Sequence, residues 1–199
     1  MKKTAAIIIL LVFTGIDQYA QEEQTKKRSW IIPSHVVAQY AGGVGSAVIG
    51  AGYVLNKSQS LRLKVQYGFT PKYKANKNLH SISTFFSYLP VKIDVNKKIS
   101  AMPLLRVGWS RAFADGPGTF TRLPSYYPDG YYAPNAYRFH FNLGANCHYS
   151  FNKKQTVKAL EFYIETTTND LYVKYLLKYN KIHINHIFTM TLGVNIMFK

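Results

Sequence analysis

The sequence predicts an all-β fold, an eight-stranded antiparallel up-and-down transmembrane β-barrel. Three observations predict it. Apolar and polar residues alternate in segments about ten residues long, the length and period of a tilted membrane-crossing strand. The polar parity of these segments is rich in small residues. The connections alternate between short and long, as in barrels with short turns at one end and loops at the other. The 199 residues suffice for one domain, and 16 Tyr with 12 Phe suit the pleated surface of strands.

The segments follow in order. Residues Met1–Ala20 form the first, which is not a strand. Lys2 and Lys3 precede an unbroken apolar run, Ala5–Phe13, and "QYA" closes at Ala20. This order of basic, apolar and small residues reads as a cleaved secretory signal. Residues 21–33 are a polar lead-in, and residues 34–199 are the barrel. Within it, weaker alternation marks Val36–Ala41, Ala47–Leu55, Leu79–Leu89, Ile99–Trp109 and Val157–Thr167. Clear alternation marks "SLRLKVQYGF", with Leu61, Leu63, Val65, Tyr67 and Phe69 on one parity. It marks "YRFHFNLGANCHYSF" from Tyr137 to Phe151, and the closing segment "HIFTMTLGVNIMFK", where Phe188, Met190, Leu192, Val194, Ile196 and Phe198 share a parity. Pro90 introduces a bulge or a strand end, because alternation resumes at Val91, Ile93 and Val95 with the parity changed.

The short connections are "NKSQ" (Asn56–Gln59), "NKK" (Asn96–Lys98) and "NKKQ" (Asn152–Gln155), with Asn suited to turns. The long ones are Pro71–Asn78, Ala114–Asn135 and roughly Thr168–Asn185. "GGVG" (Gly42–Gly45) is the tight exception. Leu171–Tyr179 reads equally as an interfacial helix or as a strand extension.

Alternation alone fits two barrels, one apolar outside and one, lipocalin-like, apolar inside. The small residues Gly68, Asn142, Gly144, Asn146, Thr189, Thr191, Gly193 and Asn195 favour a narrow lumen on the polar parity. Arg62, Lys64, Arg106 and Arg138 share that parity with Glu161 and Glu165, a set able to form a lumen ion-pair network. Aromatics at strand ends on the apolar parity (Tyr67, Phe69, Trp109, Tyr137, Tyr149, Phe151 and Phe198) suit interfacial girdles.

A terminal strand ending in Phe198 resembles the signal read by the barrel-assembly machinery of outer membranes, departing from it by the final Lys199. The strand pattern resembles small eight-stranded outer-membrane barrels, such as the transmembrane domain of outer-membrane protein A. "QYAGG", "YPDGYY" and "NDLY" resemble an uncharacterised group of such barrels from Bacteroidota. The resemblance implies location in the outer membrane, with lipid and lipopolysaccharide as surroundings, and no established activity. Lys72, Lys74, Lys77, Lys174, Lys178 and Lys181 are placed to face lipopolysaccharide phosphates.

In the loop "ADGPGTFTRLPSYYPDGYYAPN", Arg122, Tyr126, Tyr127, Asp129, Tyr131 and Tyr132 form a candidate binding surface, since tyrosines offer apolar faces with hydroxyl handles. The same loop reads as a cap over the barrel mouth. His148 and Ser150 in "CHYS" resemble the His-x-Ser of lipid A 3-O-deacylase barrels, but the Asn-Ala-Gly continuation is missing and both share the inward parity. No triad is expected at the lipid face, so a lipid-modifying enzyme is an alternative reading and a non-enzymatic barrel the primary one. No metal site or cofactor is expected. His183 and His186 are an isolated pair, and Cys147 is the single cysteine. The net charge of +16 is spread over turns, loops and lumen without a basic aromatic stripe, so nucleic acid is not an expected partner. The surface ligand is not specified by these residues.

Overall fold

The computed structural model describes residues 32–75, 77–116, 137–151, 156–178 and 183–198. The signal segment, most of the lead-in, the turn at 152–155 and every candidate of the Arg122–Tyr132 surface lie outside the described residues.

The strands are β1 (His35–Ala41), β2 (Ala47–Val54), β3 (Leu61–Thr70), β4 (Leu79–Tyr88), β5 (Ile93–Asp94), β6 (Ile99–Ala114), β7 (Tyr137–Ser150), β8 (Val157–Asn169) and β9 (Thr189–Phe198). All pairings are antiparallel, in the order β4-β3-β2-β1-β9-β8-β7-β6. Pairing of β4 with β6, from Leu79↔Ala114 to Tyr88↔Leu105, closes the cylinder. Eight strands therefore form the barrel, and β5 is a two-residue addition that pairs with Ala101 and Ser100 at the short-turn end. Closure leaves the barrel itself no free edge, so each of its eight strands finds a partner for its backbone groups on both sides.

The two parities fall as the sequence reading expected. Leu61, Val65, Phe86, Val107, Phe141, Leu143, Phe162 and Leu192 point outward and are exposed. Arg62, Lys64, Asn142, Glu161, Thr191 and Asn195 point inward and are buried. Near the long-loop end the outer face carries Trp109 and Tyr137 with ring centroids 6.1 Å apart. Near the short-turn end Tyr149 and Phe151 meet edge-on at 5.3 Å.

Two features differ from the sequence expectation, and one reading left open by the sequence is decided. β6 runs five residues past Trp109, to Ala114, because β7 supplies register partners as far as Arg111↔Tyr137 and β4 as far as Leu79↔Ala114. Asp170–Lys178 is a helix, which decides between the two readings of that segment. The Asn169 carboxamide oxygen caps it, accepting the Tyr172 N–H at 2.9 Å. The lumen is also mixed rather than wholly polar. Val37, Leu89, Met102, Leu104 and Tyr163 form one buried apolar cluster, and Val44, Val48 and Phe85 form another.

The second cluster explains the tight β1–β2 turn. Instead of projecting from the rim, the turn folds into the long-loop mouth. Val44 packs on Val48 and Phe85, and its carbonyl accepts a hydrogen bond from the Ser81 hydroxyl. Such an inward fold leaves no room for side chains at its base. Gly42 sits at φ +97°, where a Cβ would strike the Thr191 side chain. Ala41 beside it holds φ 60°, a left-handed conformation that a Cβ disfavours. Replacing Ala41 with glycine will therefore stabilise the barrel by about 1 kcal/mol. Gly42→Val will destabilise it by about 1–3 kcal/mol. Denaturant midpoints in detergent measure both, and equal midpoints for the two variants would remove the strained turn from the account.

Candidate functional site

The interior is layered along the barrel axis, and each layer is set by strand register. His148 on β7 faces Glu161 on β8, and Gly144 faces Glu165. Glu161, fully buried, is the hub of the layer near the short turns. It accepts a two-pronged contact from the Arg62 guanidinium, at 2.5 and 3.0 Å. It also accepts from the Asn146 and Asn195 amides, both at 3.1 Å, and pairs with His148 Nδ1 at 2.8 Å. Arg62 is fixed further by its Nε, which donates to the Gln59 carbonyl at 3.1 Å. Paired, hydrogen-bonded ions of this kind are the form in which charge is tolerated inside proteins.

The next layer centres on Arg106 and Glu165, 3.0 Å apart and both buried. Glu165 also accepts the Asn142 amide at 2.8 Å. The guanidinium carbon of Arg106 lies 5.5 Å from the Phe85 ring centroid and 4.9 Å from that of Tyr163. Lys64 lies 4.6 Å from the Tyr163 centroid and donates to Asn195 Oδ1, the side-chain amide oxygen, at 2.9 Å. The Tyr163 hydroxyl donates to Gln39 at 2.9 Å. Tyr163 fits because Gly193 faces it across β9, where any Cβ would collide with the ring.

The six lumen candidates thus divide. Arg62 meets Glu161 and Arg106 meets Glu165. Lys64 joins the network through an amide and an aromatic face, and forms no carboxylate bridge among the described residues. Arg138 stays outside the network. It donates to the Tyr137 carbonyl at 2.9 Å and lines the long-loop mouth. Its strand continues beyond the layer that holds the carboxylates, so the inward parity carries it to the rim.

Each end of the barrel opens into a cavity. The one at the long-loop mouth, about 370 Å³, is floored by the folded-in turn Gly42–Gly45 and walled by Ser81, Ser110, Arg138 and Tyr172. Beneath it Ser110 Oγ lies 2.7 Å from His140 Nε2. The cavity at the short-turn end, about 510 Å³, is lined by Lys57, Lys92, Lys158, Arg62, His148 and Ser150, with Met102 and Leu89 on its apolar side. The apolar cluster around Met102, Leu104 and Tyr163 and the ion-pair layers stand between the two cavities.

His148 and Ser150 lie on the inward parity beside the short turn, as the sequence indicated. The sequence did not show that their third partner stands directly across the sheet. His148 Nε2 is 3.1 Å from Ser150 Oγ, and its Nδ1 is 2.8 Å from Glu161. The signal was present in the alternation, since the short spacing between the two alternating segments limits which β8 residue can face His148. His183 and His186 share one 3₁₀ turn, the His183 N–H donating to His186 Nδ1 at 3.2 Å. Among the described residues no three His, Cys, Asp or Glu side chains gather as a metal site.

Fold and interior together define a class: a closed eight-stranded antiparallel barrel, apolar outside, with an ion-paired lumen and a cavity at each mouth. Comparison with known proteins gives no matching family model, no matching curated protein and no matching solved structure.

Proposed function

We propose that the chain is an integral outer-membrane barrel that binds or shields at the cell surface through its long loops. One observation carries this reading. A continuous belt of large apolar side chains faces outward around a closed sheet, while the ionised groups are turned inward. A water-soluble barrel gains nothing from exposing Leu143, Phe139, Ile49 and Met190, each about three-fifths exposed. Lipid demands that arrangement, together with a sheet that has no edge.

The closed lumen argues for a wall rather than a pore. Side chains fill eight-stranded barrels of this size, and ion pairs and the Met102 cluster fill this one. Function then moves to the ends. The long-loop rim carries Lys72, Lys74 and Lys77 beside β3 and Lys174 and Lys178 on the helix, suited to the phosphates of lipopolysaccharide. The Arg122–Tyr132 loop remains the candidate for a surface ligand. Insertion by the barrel-assembly machinery through the Phe198 strand, export by the N-terminal signal, and kinship with the Bacteroidota barrels belong to the same reading.

Membrane fractionation tests it. The protein will sediment with outer membranes, require detergent for extraction, and run on gels at different mobility before and after boiling. Recovery in the soluble fraction without detergent would instead support the lipocalin-like carrier. No helix among the described residues is long and apolar enough to cross a membrane, so the crossing rests on the strands.

A further inference from the structure

We infer that Ser150, His148 and Glu161 form a serine-hydrolase relay at the short-turn mouth, acting on a small ester that carries negative charge. The three side chains have the order such chemistry needs: a hydroxyl on a histidine, and that histidine on a carboxylate. Ser150 Oγ lies 3.1 Å from His148 Nε2, and His148 Nδ1 lies 2.8 Å from Glu161 Oε1. The Glu161 carboxylate accepts from the Arg62 guanidinium, and His148, paired with the same carboxylate, presents Nδ1–H to it and leaves the Nε2 lone pair toward Ser150. Glu161 is the positioning residue, and its own geometry is fixed by Arg62, Asn146 and Asn195.

The relay is buried at Glu161 and His148 and opens at Ser150, which is only part-buried. His148 and Ser150 both line the cavity of about 510 Å³ at this end, with room for a small substrate. The lining sets the charge preference. Lys57, Lys92 and Lys158 contribute ammonium groups, Lys92 being paired with Asp94 at 3.2 Å. The backbone amides nearest the nucleophile are committed to the sheet, Ser150 N to the Lys98 carbonyl and Phe151 N to the Lys158 carbonyl. Stabilisation of a tetrahedral oxyanion therefore falls to these lysines rather than to main-chain N–H groups.

The steps balance as an ordinary hydrolysis. Ser150 Oγ adds to the ester carbonyl carbon as its proton passes to His148 Nε2. The carbon–oxygen bond to the alcohol breaks, and the alcohol leaves with that proton. Water then adds to the acyl carbonyl, giving a proton to His148. Collapse breaks the acyl–Oγ bond, releases the acid, and returns the proton to Ser150.

The test uses the whole mature barrel in detergent, so its outcome is independent of where the protein resides. Wild type treated with a fluorophosphonate will gain one adduct by intact mass, mapped to Ser150. Ser150→Ala will lose it. His148→Gln will slow labelling about a hundredfold and flatten its dependence on pH, which a packing defect alone would not do. Wild type will cleave the 4-nitrophenyl monoester of succinate faster than 4-nitrophenyl acetate, and Lys158→Gln will narrow that preference. Absence of an adduct on folded wild type, an adduct on another serine, or labelling unchanged in His148→Gln overturns the proposal.

Discussion

Glu161→Ala will destabilise the barrel by about 3–5 kcal/mol, the largest effect expected from any single truncation in the lumen. Glu161 receives five hydrogen bonds, two of them from Arg62. Its removal strands a buried guanidinium, leaving it only the Gln59 carbonyl. The amides of Asn146 and Asn195 lose a partner at the same time. The penalty is that of an uncompensated buried charge, not the net contribution of the pair. Removing both charges in Arg62→Leu/Glu161→Leu will therefore recover part of the loss, making the double variant more stable than Glu161→Ala. Urea unfolding of protein folded into lipid vesicles measures both. A Glu161→Ala variant within about 1 kcal/mol of wild type would show that the layer contributes little.

Period-2 alternation made the strands and their orientation legible in the sequence because one residue of slip would exchange the two faces. Leu61, Phe141 and Asn142 could be assigned to their faces without coordinates for that reason. Partners across the lumen were less legible. Arg62 reaches Glu161 from a strand 99 residues away. That meeting depends on barrel closure and stagger, which alternation does not encode. Arg138 shares parity with the charged set but stands too far along β7 to join it. The inward place of Val44 was not legible, because alternation stops at the glycine-rich turn and Ser81, Val48 and Phe85 meet Val44 only in the closed barrel. The Ser150–His148–Glu161 alignment was half visible. The i, i+2 spacing puts His148 and Ser150 on one face, but only the β7–β8 register brings Glu161 opposite.

A second large effect separates a lipid-facing belt from a merely apolar exterior. Leu143 lies midway along β7, 62% exposed, opposite Leu105 and Thr166. Thr166 is an outward polar group at this level, and its hydroxyl donates to the Leu143 carbonyl at 3.3 Å, so it needs no water. Leu143→Arg will destabilise the folded barrel by about 2–4 kcal/mol in lipid, because the guanidinium lies at mid-depth where it reaches neither interface easily. Val95, 66% exposed, supplies the control. It sits beyond β5 at the short-turn end, its N–H donating to the Ile99 carbonyl at 3.0 Å. Val95→Arg will change stability by no more than about 0.5 kcal/mol, as exposed substitutions do. Equal exposure with unequal penalty is what a membrane imposes, since only depth differs between the two sites. In water both side chains would be solvated alike, so equal, small effects at Leu143 and Val95 in the lipid-reconstituted protein would place the apolar belt outside the bilayer.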